Sequence, residues 1–177
     1  MSFKAGNPKR VLAIDPTPRG FGFVVLEDLT SVIDWGVKST KTSKQKATLA
    51  KVTELIRHYQ PEMIVLEAVG GKGSRRCKRI QDLITSIRSL AKRKNVRSGS
   101  FSPAQVKRIF GTFGAATKHQ IAHAVAQQLP ELASRIPRYR KPWMSEDYGM
   151  AIFDAAALAL TYFYSRRVSG CERGKQS

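Results

Sequence analysis

Leu12 to Glu27 reads LAIDPTPRGFGFVVLE, and the division of this stretch decides the fold. An apolar run entered at Arg10 (RVLAID) ends in a carboxylate, Asp15; the turn-forming PTPRG follows, and then the apolar GFGFVVLE. Two strands joined by a short Pro/Gly connection are the natural reading. A third strand is expected from Ser31 to Ser39 (SVIDWGVKS), after a polar link from Asp28 to Thr30, so that the three make an antiparallel meander.

Downstream the period changes. From Thr42 to Tyr59, Ala47, Leu49, Ala50, Val52, Leu55 and Ile56 recur with helical spacing until Pro61 ends the pattern. Met63 to Leu66 reads as a short, fully apolar strand closed by a second carboxylate, Glu67. The glycine-rich and basic AVGGKGSRRCKR leads from it into an amphipathic helix over Lys78 to Lys92. Val96 to Phe101 forms a fifth strand, after which Ser102 caps and Pro103 opens a helix to Phe110. The link GTFGAAT separates that helix from another over Lys118 to Gln128. A final helix is expected over Asp147 to Tyr164 with Ser145 as its N-cap, and the polar residues from Arg166 onward read as a frayed end. Three strands, helix, strand, helix, strand and then helices is an order of the mixed α/β class.

The 177 residues, 42% of them hydrophobic, suffice for one ordinary core. One domain over 1–168 with a polar tail over 169–177 is expected. Lys and Arg number 31 against 13 Asp and Glu, a net charge of +18 that calls for a polyanionic partner, nucleic acid first. An anionic membrane is the rival, but no apolar run approaches the ~20 residues of a spanning helix. Met1 to Arg10 lacks the apolar centre of a signal peptide. Cys77 and Cys171 form neither a CxxC pair nor a disulfide framework, so a reducing, cytoplasmic setting is expected and a zinc site is not.

Three acids stand where acids are costly: Asp15 and Glu67 end apolar strands, and Asp154 lies inside MAIFDAAALAL. Singly, each has an ordinary reading as a turn cap or the partner of an arginine. If the first and fourth strands are parallel neighbours, Asp15 and Glu67 share one end of the sheet, where ligands of such sheets bind. Buried carboxylates need positive charge, and a cluster of them without Cys or His suits a hard divalent ion, Mg²⁺ or alternatively Mn²⁺.

The sequence also resembles a known family. LAIDPTPRGFGFVVLE is similar to the first hairpin of RuvC-type Holliday junction resolvases, IVLEAV to their fourth strand with its metal-binding Glu, and FDAAALALTY to their final helix. SPAQVKRIFGTFGAATKHQIAHAV resembles their segment of a Pro-led helix, a Val-Lys pair, spaced glycines and a later Lys. The four matches run in the family's order from Leu12 to Tyr164. The resemblance implies an RNase H-like fold, a central mixed five-stranded sheet flanked by helices, and phosphodiester hydrolysis with water as nucleophile. It further implies that Asp15, Glu67 and Asp154 bind metal, with Asp15 bridging two ions ~3.5 to 4 Å apart. Lys107 and Lys118 match basic residues that contact phosphates near the cut. Three features depart from the family: Ala151 stands where another Asp or His is usual, AVGGKGSRRCKR has no match for the aromatic residue near the junction, and IQDLITSIRSLAKR lacks the small-residue pattern of the dimer helix.

Asp147 precedes Asp154 by seven positions. Within one helix the two would share nearly one face with Cα atoms ~10 Å apart, so Asp147 is either a fourth ligand or a helix N-terminal charge. Lys72, Arg75, Arg76, Lys78 and Arg79, tied to the fourth strand by Gly70, Gly71 and Gly73, form the densest basic cluster and read as phosphate contacts. Arg135, Arg138, Arg140 and Lys141 interleave with Tyr139 and Trp143, which either stack on an unpaired base or pack beside a loop. His119 and His123 have a metal-compatible spacing but no further ligand type nearby, and read as surface or packing residues.

A structure-selective DNA endonuclease acting on four-way junctions is the leading expectation. A homodimer would supply the two cuts, and Ile80, Leu83, Ile84, Ile87 and Leu90 give the second helix a stripe for either the dimer axis or its own sheet. The alternatives are a related nuclease acting on other branched DNA or RNA, and a catalytically silent nucleic-acid-binding module.

Overall fold

A computed structural model of the chain describes residues 10–40, 45–70, 72, 74–141, 143–145 and 147–173, with backbone alone over 168–173. β1 (Val11–Thr17), β2 (Gly20–Leu26) and β3 (Val32–Ser39) form the expected antiparallel meander. The chain then crosses through α1 (Gln45–Tyr59) to β4 (Met63–Glu67), and through α2 (Lys78–Arg93) to β5 (Arg97–Phe101). Residues 41–44, the first part of the helix expected from Thr42, lie outside the described residues. β4 lies parallel to β1 and β5 parallel to β4, giving the mixed order β3-β2-β1-β4-β5.

Four further elements follow among the described residues: α3 (Pro103–Gly111), α4 (Lys118–Gln128), a 3-10 turn (Pro130–Arg135) and α5 (Met150–Arg173). Ser102 with Gln105, and Thr117 with Gln120, form reciprocal capping boxes that satisfy the first free N–H groups of α3 and α4. Those boxes fix where both helices begin.

Because strand side chains alternate, each strand splits its residues between two layers. Leu12, Ile14, Ile64 and Leu66 meet α1 and α2, packing on Val52, Ile56, Ile84 and Ile87. Val11, Ala13, Met63 and Val65 face the other way, into the layer of α4 and α5. The stripe Ile80, Leu83, Ile84, Ile87 and Leu90 is buried against the chain's own sheet, which settles its two readings in favour of the internal one.

α5 departs from expectation at both ends. It starts at Met150, not Asp147, because the Asp147 carboxylate accepts the Gly149 N–H at 2.8 Å and its carbonyl accepts that of Met150 at 3.0 Å, closing a turn ahead of the helix. Ser145 is therefore not an N-cap. At the far end the helix continues to Arg173, past both the expected stop at Tyr164 and the start of the proposed tail at 169. Once a helix exists, each added residue gains a hydrogen bond without a new nucleation cost, so polar composition alone does not end it.

α5 reaches the sheet over Gly22. A Cβ there would lie 2.3 Å from the carbonyl carbon and oxygen of Ala151 and 2.7 Å from its Cβ, so the backbones meet where only glycine fits. Gly22 pairs with Asp15 across β1 and β2, and this contact therefore sets the distance from the start of α5 to Asp15. Gly22→Ala should destabilise the fold by about 1–3 kcal/mol through overpacking, read as a loss of roughly 2–4 °C in thermal midpoint per kcal/mol. Gly36→Ala, whose Cβ would meet only the Phe23 ring at 3.4 Å, is the control and should cost less.

Candidate active site

Alternation along β1 and β4 directs two acids to one side. Asp15 follows Val11 and Ala13, and Glu67 follows Met63 and Val65, so both point toward α5. β1 and β4 pair in the register Val11 with Met63 through Ala13 with Val65; the same offset carried two residues further sets Asp15 level with Glu67. Pairing between them stops at Ala13, while β1 continues along β2 to Thr17 and β4 along β5 to Phe101. The strands thus part at the two acids, at the carboxyl end of the sheet. Asp154 of α5 completes the group: Asp15, Glu67 and Asp154 line one cleft with Lys107 and Lys118.

Cations fill this cleft from within. Arg76 reaches back from the loop after β4: its Nη2 bonds the Asp15 carboxylate and lies 3.0 Å from Glu67 Oε2, and its Nε donates to the same Glu67 oxygen at 3.0 Å. Its Nη1 donates to the Pro16 carbonyl at 3.0 Å, and Ser74 Oγ donates to Glu67 Oε1 at 2.6 Å. Lys118, at the first turn of α4, places its ammonium 2.9 Å from Asp154 Oδ2. Among the described residues no three acidic, His or Cys side chains are gathered closely enough to hold a metal ion as they stand.

Asp15 is 1% exposed. Burial, and next the charge of Asp154, push its carboxyl up from 3.8 to about 8, against the downward pull of Arg76 and Lys118. Burial works against the Arg76 charge, but Asp15 and then Glu67 outweigh it and hold the guanidinium more firmly protonated than usual. The acids thus remain short of positive charge even with two cations among them. An all-oxygen donor set in that condition fits a hard divalent ion.

The other expected residues divide. Lys107 is exposed at the cleft, and Lys72 and Arg75 are exposed on the loop above it. Lys78 pairs with Asp82 at 3.0 Å, and Arg79 donates to the Pro18 carbonyl at 3.0 Å. Gly71 and Gly73 lie outside the described residues. Asp147 borders the cleft beside Asp15 and Asp154, but its carboxylate is engaged by Arg140 at 3.0 Å and by the Gly149 N–H. His119 and His123 pack ring to ring, with centroids 4.6 Å apart.

Sequence reasoning did not foresee the inward turn of Arg76 or the bond from Ser74. The signal was there: a buried acid pair demands a cation, and Arg76 is nine residues beyond Glu67 on a loop that starts at the acids themselves.

The chain is similar to known proteins of one family. The family described as crossover junction endodeoxyribonuclease RuvC matches residues 11–162. A crossover junction endodeoxyribonuclease RuvC of Thermomicrobium roseum is 26% identical over 172 residues, covering 93% of this chain and 98% of that protein. The structure of Thermus thermophilus RuvC superposes with a TM-score of 0.64 at 22% identity, over 89% of this chain and 96% of that one. The same protein in complex with a Holliday junction substrate gives 0.63, over 89% and 95%.

The raised carboxyl of Asp15 has a consequence for stability. Between its unfolded value of 3.8 and about 8 in the fold, the folded chain binds the extra proton. The stability linked to Asp15 is therefore full below the lower value and is lost as pH rises through the upper one. Asp15→Asn removes the linkage, so without divalent ions the thermal midpoint of the variant should gain on the wild type steadily from about pH 4 to about pH 8 and level off above. A pH-independent difference between the two would refute this.

Proposed function

The chain belongs to the RuvC family of crossover junction endodeoxyribonucleases, and from that footing we propose that it cuts four-way DNA junctions by metal-assisted phosphodiester hydrolysis. The observation that supports the reading most directly is the approach of Asp15, Glu67 and Asp154, from three separate elements, to one cleft edged by Lys107 and Lys118. The net charge of +18 suits a DNA partner, and the Thermus relative was solved with a junction bound. Among the described residues no helix is long and apolar enough to cross a membrane. We place the enzyme in the cytoplasm because its proposed DNA substrate is there.

In this proposal Asp15, Glu67 and Asp154 hold a divalent cation, Mg²⁺ or alternatively Mn²⁺. Bound there, it supplies the charge that lowers the pKa of an attacking water and offsets charge on the leaving oxygen. Arg76 must release Asp15 and Glu67 for those oxygens to become ligands. Its planar fork matches a phosphate as well as it matches two carboxylates, so arriving DNA offers it an equivalent partner. Lys118 and Lys107 take phosphate oxygens beside the cut, and Lys72 and Arg75 take those further out.

One set of variants tests the ligands, with thermal midpoints recorded across a Mn²⁺ or Mg²⁺ titration without DNA and cutting assayed separately. Asp15→Asn, Glu67→Gln and Asp154→Asn should lose the metal-dependent stabilisation and cut roughly 10²–10³-fold more slowly, while still binding a junction. Arg76→Met should respond to less metal than the wild type. An acid variant that keeps both properties would leave the ligand set.

Resolving a junction takes two cuts on strands of like polarity, so two active sites must be held together, and a twofold homodimer is the simplest supply. A nuclease acting on other branched DNA or RNA is the second reading, favoured by the burial of the apolar stripe of α2 within its own protomer. Light scattering with and without a four-way junction, beside cleavage of that junction and a matched duplex near physiological salt, should show a dimer that nicks the junction symmetrically. A monomer cutting the duplex equally fast would favour the second reading.

A further inference from the structure

Ile136 to Gly149, IPRYRKPWMSEDYG, joins the 3-10 turn to α5; Pro142 and Glu146 lie outside the described residues, and Tyr139 and Trp143 are turned outward. Trp143 is 78% exposed, Tyr139 69% and Met144 51%. A side chain as large as Trp is ordinarily well buried, so a group of such exposed surfaces marks a place of interaction. The loop is nonetheless braced. Arg140 crosses it, donating to the Ser145 carbonyl at 3.1 Å and pairing with Asp147 at 3.0 Å; Met144 N–H bonds the Lys141 carbonyl at 2.9 Å; and Pro137 is buried at its base. The rings are thus held in place without serving the core.

Basic side chains lie beside them. The Lys141 ammonium lies 5.2 Å from the Trp143 ring centroid, and Tyr139 meets the edge of His119 at 5.5 Å. Arg138, Tyr139, Lys141 and Met144 line a hollow together with Lys118, the residue whose ammonium holds Asp154. The other limb of the loop, through Ser145, Asp147 and Tyr148, walls the cleft of Asp15 and Asp154. The aromatic surface therefore begins where the carboxylate site ends.

A ligand for such a surface must offer flat π-faces and negative charge at short spacing. A nucleobase outside its stack, with a phosphate on either side, does so; a continuous duplex keeps its faces covered. We propose that the Ile136–Gly149 loop is a base-stacking platform, on which Trp143 and Tyr139 receive unpaired bases beside the cut and Arg138 and Lys141 hold the flanking phosphates. The proposal rests on the reading of the protein as a nuclease of branched DNA and names the feature of the branch that it grips.

The test measures binding near physiological salt, in EDTA so that nothing is cut, of a four-way junction, a single-stranded oligonucleotide and a blunt duplex. Tryptophan emission and a 2-aminopurine at the branch point serve as readouts. Trp143→Ala and Tyr139→Ala should each weaken junction and single-strand binding by about tenfold, the scale of one stacked base, and change duplex binding less than about twofold. Trp143→Phe should restore most of the loss, since it restores a ring, and thermal midpoints should hold because both side chains are exposed. In the wild type, either branched or single-stranded DNA should quench the emission of Trp143, leaving that of Trp35 as the residue seen in Trp143→Phe. The platform is overturned if the alanine variants bind every DNA as the wild type does, if they lose duplex binding equally, or if single strands leave the emission unchanged. A wild type that neither prefers nor cuts branched DNA would instead remove the junction reading, and quenching by the single strand would still decide the platform.

Discussion

A carboxylate 1% exposed at the centre of a sheet sets the terms for everything around it. Burial of an ion costs several kcal/mol unless a counter-charge repays it, and Asp15 meets that demand with cations from two directions. Arg76 comes from the loop beyond β4 and Lys118 from the capped start of α4, while α5 brings a further acid through its seat on Gly22. The capping box of Thr117 matters here because it fixes the turn from which Lys118 extends. Strand register, a glycine contact and a helix cap are thus all part of placing one charge.

The same arrangement explains why the basic residues are not equivalent. With a charge of +18, most cations on this chain are solvated and offer phosphate binding that weakens steeply as salt rises. Arg76 and Lys118 differ because they are already committed to acids, Arg76 largely buried against Asp15 and Glu67 and Lys118 half-exposed on Asp154. Anything that draws them away must offer them comparable partners, and must also replace the charge they supplied.

Much of this was legible in the sequence, for physical reasons that differ by element. The apolar runs of β1 and β4, each closed by a carboxylate, marked both the strands and the end of the sheet at which their acids fall, and Ser102-Pro103 announced the start of α3. The start of α5 was hidden because Asp147 can act as a helix N-terminal charge or as the centre of a turn, and only the bond to Gly149 chooses between them. The same bond, with that to Arg140, takes Asp147 out of the face it would have shared with Asp154. The role of Arg76 was hidden because a run of lysines and arginines looks uniform until one member turns inward.

Ala151, the position at which the resemblance called for another Asp or His, lies against Gly22 with 4% exposure. α5 approaches the sheet more closely there than a branched or charged pair of side chains would allow. The close approach leaves three acids in the cleft. Two cations face the three: Arg76 holds Asp15 and Glu67, and Lys118 holds Asp154. A divalent cation that took the place of the guanidinium would bring in more positive charge than it removed, with Lys118 still on Asp154. The departure of Arg76 then depends on whether phosphate outside the cleft holds the guanidinium as well as Asp15 and Glu67 hold it inside.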